Sequence, residues 1–195
     1  MELQNKHMQV GATERRRSQS EGDDQMFSIE RCPLPDNALL NKYDCPGVYT
    51  DCYRTDVIGA VTHREYVGSF YTTLLFKLER TILKWAVSKS SSDIQAIQLA
   101  DGTTDTFAAW HVEDRCENQL LLSDFKGRTR SWLMVAPVEI GGIGKTRLFF
   151  GSAVTPIRNG VSGKTSLGIV YSMLLGFHKC YSVLLLYSAK SRLKI

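Results

Sequence analysis

The chain has little of what most catalytic and metal-binding sites are made from. Only four histidines occur in 195 residues: His7, His63, His111 and His178. The five cysteines, Cys32, Cys45, Cys52, Cys116 and Cys180, include no C-x-x-C pair. An odd, dispersed set makes neither a zinc site nor a disulfide framework, so reduced thiols in a cytoplasmic protein are expected. The opening "MELQNKHMQVGATERRRSQSEGDDQ" lacks the apolar stretch of a signal peptide, and secretion is not expected. A long apolar run is missing too. The closest approach, "SLGIVYSMLLGFHKCYSVLLLYSA", is divided by His178-Lys179 into two stretches, each too short to cross a bilayer. It reads as a buried helix, and no membrane span is expected. Charge of one sign is not dominant either. A net charge of +4 permits an anionic partner without demanding one.

A phosphate-binding loop is absent, although the chain imitates one twice. Gly144-Lys145-Thr146 and Gly163-Lys164-Thr165 both carry the ending of the pattern G-x-x-x-x-G-K-[ST]. The first glycine of that pattern lets the backbone wrap the phosphates. Here its place is taken by Glu139 in one copy and Arg158 in the other. The first copy also runs into "RLFFGSAV", a strand rather than a helix. It is therefore expected to be a hairpin turn whose glycines supply positive φ. In the second copy Thr165 or Ser166 can cap the helix that follows. No nucleotide is expected.

What is present is an ordinary globular composition, 43% apolar and 23% charged, enough for one domain with a core. Residues 1–28 are polar, with Arg15-Arg16-Arg17 offset by the acidic residues from Glu21 to Asp24, and read as a disordered tail. A nucleic-acid partner is not expected from it. Residues 29–47 contain Pro33, Pro35 and Pro46 and read as an extended lead-in, leaving 48–195 as a single domain.

"VYTDCYRTDVI", 48–58, reads as a first strand because it is rich in β-branched and aromatic residues. Thr62 and Glu65 form a T-x-x-E capping box, and Val67, Phe70, Tyr71, Leu74, Leu75, Leu78, Ile82 and Trp85 follow at helical spacing. On another face of this helix Lys77, Arg80 and Lys84 make a basic stripe. "SSSDIQAIQLADG" supplies a cap, a short helical turn or two and a stop at Gly102.

Four strand-like runs follow at 106–115, 118–125, 129–138 and 146–157. Their apolar residues fall on even numbers: Ala108, Trp110, Val112, Leu120, Leu122, Trp132, Met134, Ala136, Val138, Leu148, Phe150 and Val154. Connections of odd length would keep that set on one face, with Asp124 near Arg130 and Val138 near Thr146. The expected product is an antiparallel meander with its core on one side. A long apolar helix, about Leu167 to Leu193, closes the chain. It must be buried against the sheet, with Lys190, Arg192 and Lys194 at the negative end of its dipole.

The order strand, helices, meander and long final helix resembles the helix-grip fold of the START-like, polyketide-cyclase-like superfamily. The closing segment "GRTRSWLMVAPVE…GKTRLFFGSAVTP…LLGFHKCYSVLLL" looks like the final strands and helix of its uncharacterised bacterial members, and the likeness covers about 48–193. The resemblance implies an α+β fold, with an antiparallel meander wrapped around the C-terminal helix and helices inserted after the first strand. It also implies a cavity between sheet and helix for a small apolar or amphipathic molecule, with no cofactor. The residues expected to line it are Trp110, Trp132, Met134, Phe150, Met173, Leu174, Phe177 and Tyr181, with Tyr71 at one mouth. Asp124 and Arg130 would either pair across the hairpin as a structural ion pair or face the cavity, where Arg130 would hold a ligand carboxylate.

Chemistry on such a scaffold would fall to few groups. His178 interrupts an apolar helix with Tyr181 three residues on, and it would suit a general base. Asp124 is the other acid–base candidate. These two support the alternative reading of a cyclase-, dehydratase- or hydrolase-like enzyme, and the basic stripe supports an interaction module. His111 and Glu113 share a strand face, but a metal would need a third ligand and none is at hand, so no metal site is expected. "NGVSGKTS" misses the G-x-S-x-G nucleophile elbow, since Lys164 occupies the last glycine position.

Overall fold

The computed structural model describes residues 29–74, 76–77, 92–155 and 169–193, with side chains throughout except over 169–180. The fold is α+β. Seven antiparallel strands form one open sheet in the order β1-β2-β7-β6-β5-β4-β3. They are β1 (Glu30–Arg31), β2 (Tyr49–Ile58), β3 (Thr106–Phe107), β4 (Trp110–Cys116), β5 (Gln119–Asp124), β6 (Thr129–Ile140) and β7 (Ile143–Val154). Three α-helices accompany them among the described residues: α1 (His63–Tyr71), α2 (Asp93–Ala100) and α3 (Ile169–Arg192).

Local chemistry explains where the helices start and stop. Thr62 accepts from the Glu65 N–H while Glu65 Oε2 accepts from the Thr62 N–H, and Ser92 and Gln95 repeat this reciprocal box at α2. The periodicity predicts that the first helix runs on toward Trp85, but α1 ends at Tyr71. There the hydroxyls of Thr72 and Thr73 donate to the carbonyls of Gly68 and Phe70, which relieves the helix end of its free acceptors. Thr73 Oγ1 then accepts from the Phe76 N–H, as an N-cap does for a new turn. Residues 78–91, including Arg80 and Lys84 of the basic stripe, lie outside the described residues. Lys77 pairs with Asp93 at 2.5 Å.

The strand-rich segments are where the sequence predicts them, with two additions. The lead-in contributes β1, and the run 106–115 breaks into β3 and β4 at Ala108, which turns with φ 54°. Gly141 and Gly142 form the two-residue turn between Ile140 and Ile143, with φ 61° and 74°. A tight hairpin needs positive φ at both central positions, so glycines stand there. The first Gly-Lys-Thr lies inside β7, as a hairpin and not a phosphate loop. The second lies outside the described residues.

The expected register is overturned. Arg130 pairs with Ser123 rather than Asp124, and Val138 with Lys145 rather than Thr146. The β5–β6 connection, 125–128, has four residues and the β6–β7 turn two. Both are even, so β6 enters the sheet with inverted parity and β7 restores it. Leu133 and Val135 therefore share a face with Leu120, Leu122, Leu148 and Phe150, under α1, α2 and α3. Trp132 and Met134 point to the other side.

That other side is not a solvated face, which corrects the expectation of a core on one side. Residues 29–47 fold over it, with a 3-10 helix at Leu39–Tyr43. Leu40 and Ala38 are buried against Cys52, Leu121, Trp132, Met134, Phe149 and Ala153. Buried Gln119 ties the two layers together. Its Oε1 accepts from the Leu39 N–H and the Trp132 indole, both at 2.9 Å, and its Nε2 donates to the Asn37 carbonyl. Gly151 lets the layers meet: a Cβ there would lie 2.9 Å from both Leu40 and Trp132.

Candidate functional site

Between the sheet and α3, at the β5–β6 turn end, lies a cavity of about 260 Å³. This is just under the roughly 300–1,000 Å³ usual for small-molecule sites. Phe70 and Phe76 wall it from α1 and the turn after it, Phe150 from β7, and Tyr181 and Leu185 from α3. The Phe70 and Phe150 rings are 4.9 Å apart. Trp110 closes another side. The Ala108–Ala109 turn swings the chain back so that Trp110 opens β4 opposite Phe107. The Trp110 indole nitrogen is buried and has no hydrogen-bond partner among the described residues. An unsatisfied buried donor of this kind is costly, and it gains most from an acceptor brought into the cavity.

A polar row crosses the sheet at the same end. Asp51, Ser152 and Ser131 are direct neighbours in register on β2, β7 and β6, and both serines line the cavity. Asp51 is 3% exposed. It accepts from the Ser152 hydroxyl at 2.5 Å, from the Ser152 N–H at 3.2 Å and from the Tyr49 hydroxyl at 3.1 Å. The Ser152 proton is thereby committed to Asp51. The Ser131 hydroxyl shares a 3.2 Å hydrogen bond with the Tyr71 hydroxyl.

The residues predicted to line the cavity divide three ways. Trp110, Arg130, Phe150 and Tyr181 line it, together with Asp124. Trp132 and Met134 do not, because the inverted parity of β6 buries them under the lead-in. Tyr71 is buried, not at a mouth. It packs against Phe70, Phe76 and Phe107 and shares a hydrogen bond with Ser131, so it stands behind the cavity wall. Met173, Leu174, Phe177 and His178 are in α3, and their side chains lie outside the described residues.

Asp124 and Arg130 are not paired with each other. Asp124 Oδ1 accepts from the N–H groups of Arg128 and Thr129 at 2.6 and 3.1 Å, which fixes the β5–β6 turn. Arg130 donates to Glu113 at 3.1 Å and stacks over the Tyr43 ring at 4.4 Å. Glu113 also accepts from Tyr43 at 2.5 Å and from Lys42 at 2.9 Å. Burial works to raise the Glu113 carboxyl, but these three donors outweigh it and hold it below the usual carboxylate range. Glu113 is thus engaged in clasping the 3-10 helix to the sheet, and His111 beside it is exposed.

Phe70, Phe76, Ser131, Ser152 and Leu185 were missed as site residues, as was Asp51 behind them. The signal for Ser131 and Ser152 was a hydroxyl inside an otherwise apolar strand. Reading it needed the true parity of β6. No known protein family matches the chain, and no curated protein matches it. Among the described residues no helix is long and apolar enough to cross a membrane.

Proposed function

We propose that the protein binds a small amphipathic molecule in the cavity between the sheet and α3, on a fold of the START-like, helix-grip kind. The observation that carries this reading is an aromatic-walled cavity one of whose lining residues, Trp110, has a buried indole N–H without a partner among the described residues. A ligand acceptor would answer the Trp110 indole, while an apolar body would fill the space between Phe70, Phe76 and Phe150. That pattern suits a ring or short chain carrying a hydroxyl or carbonyl. The order of elements supports the fold assignment: helices follow β2, the meander β3–β7 comes next, and α3 returns across β2 and β7.

Native mass spectrometry on gently purified protein tests the proposal. The expected result is an adduct released on denaturation, identified as a small apolar molecule with one or two oxygen-bearing groups. A bare chain that also takes up none of a panel of phenols and medium-chain alcohols would overturn it.

A further inference from the structure

The lead-in and β2 hold two thiols face to face. The β1–β2 register pairs Glu30 with Arg54 and Arg31 with Tyr53, and continued by one residue it sets Cys32 opposite Cys52. The Cys32 N–H donates to the Cys52 carbonyl at 3.0 Å, and the two sulfurs are 3.5 Å apart. A disulfide needs about 2.05 Å, a closure that side-chain rotation on adjacent strands can supply. Their environments differ. Cys52 is 2% exposed and Cys32 is half-buried. The hydrogen bond from Cys52 lowers the Cys32 thiol below its ordinary value against the opposing effect of burial, with Arg54 and Arg147 helping, while the same bond and burial push Cys52 up.

We propose that Cys32 and Cys52 form an oxidative modification site, a dithiol that a small-molecule disulfide such as oxidised glutathione converts into a cross-strand clasp. Cys32, the more accessible and more acidic thiol, attacks one sulfur of the oxidant as its thiolate. The oxidant's S–S bond breaks, one glutathione thiolate leaves and takes up the proton, and a mixed disulfide remains on Cys32. Cys52 then gives up its proton, attacks the Cys32 sulfur and expels the second glutathione. Two protein thiols are oxidised and one glutathione disulfide is reduced to two thiols. Burial of Cys52 sets this order, since a bulky oxidant reaches Cys32 first. The product ties the lead-in, and with it the Leu40 layer, to the strand beneath.

The test treats the full chain with oxidised glutathione, alkylates the remaining thiols and maps the peptides. The expected result is a Cys32–Cys52 link, with a thermal midpoint raised by roughly 5–10 °C for a loop of this length and chain of this size and restored by dithiothreitol. Cys52→Ser should stop at glutathione on Cys32, and Cys32→Ser should leave Cys52 unmodified. Modification confined to Cys45, Cys116 or Cys180, or a mixed disulfide on Cys32 that never resolves in the unaltered chain, would overturn the site. A link with an unchanged midpoint would overturn the clasp.

Discussion

The two faces of the sheet are built from the same strands and finished to different standards. On the lead-in side the buried Gln119 carboxamide serves Leu39, Trp132 and Asn37, and Trp132 is fully buried against Phe149. Gly151 removes even a methyl group where the layers touch. On the helix side the aromatic cluster is equally apolar, yet it leaves a 260 Å³ space. It also holds two of the three buried side-chain atoms without a hydrogen-bond partner among the described residues, Trp110 Nε1 and His63 Nε2. Adjacent residues of one strand thus serve a closed core and an open one. Satisfied hydrogen bonds and close packing mark the lead-in side, and their local failure marks the cavity in which we propose that a ligand binds.

Truncation should separate the faces most sharply. Trp132→Ala is expected to lose about 3–5 kcal/mol in urea unfolding, because it opens a large void and removes one of the hydrogen bonds of Gln119, while the folded fraction still takes up the cavity ligand. Loss of ligand uptake at full stability would break the comparison.

The helix side should carry the acid sensitivity. Burial lowers His63 to about 4, so its imidazole is neutral in the fold and protonates more readily in the unfolded chain. Its contribution is complete above pH 6.5 and is lost as pH falls from 6.5 toward 4, by up to about 3 kcal/mol. His63→Gln should flatten that part of the stability–pH curve. An unchanged slope would show that other groups govern it.

Gly151→Ala should cost about 1–3 kcal/mol, since the new methyl meets the Asp51 carbonyl at 3.0 Å as well as two side chains. Chemical denaturation reads this directly, and a neutral result would mean that the lead-in side is less closely fitted than described. The smallest expected effect on stability belongs to Trp110→Phe. It should change unfolding by less than about 1 kcal/mol, because the lost indole bond is made to no protein group, yet weaken ligand binding about tenfold. Titration of the adduct found by mass spectrometry would show it, and equal affinity would remove Trp110 from the site.

Features set by neighbouring residues were readable in the sequence. The Thr62–Glu65 capping box, the cap before α2, the glycine turn between β6 and β7, the extent of β2 and the α3 helix depend on local spacing, and all are found. What failed depended on distance or on counting across a loop. The face of Trp132 turned on whether three or four residues join β5 to β6, and turn composition does not fix that number. Asp51 and Ser152 are 101 residues apart, so their row exists only once β2 has joined β7. The lead-in's role as a second layer rests on a few small contacts around Leu40, too sparse to stand out as a periodic pattern.

The margins of the sheet also decide how the molecule meets copies of itself. Each outer strand has only two residues, β1 on one side and β3 on the other. Where β3 stops, β4 breaks its register between Val112 and Asp114 and carries Glu113, Asp114 and Arg115 in succession. A visiting strand would have to match that irregular spacing and accommodate the charges, with Lys42 already bound to both carboxylates. Edge-to-edge growth, the route from an open sheet to aggregates, is therefore obstructed along this border.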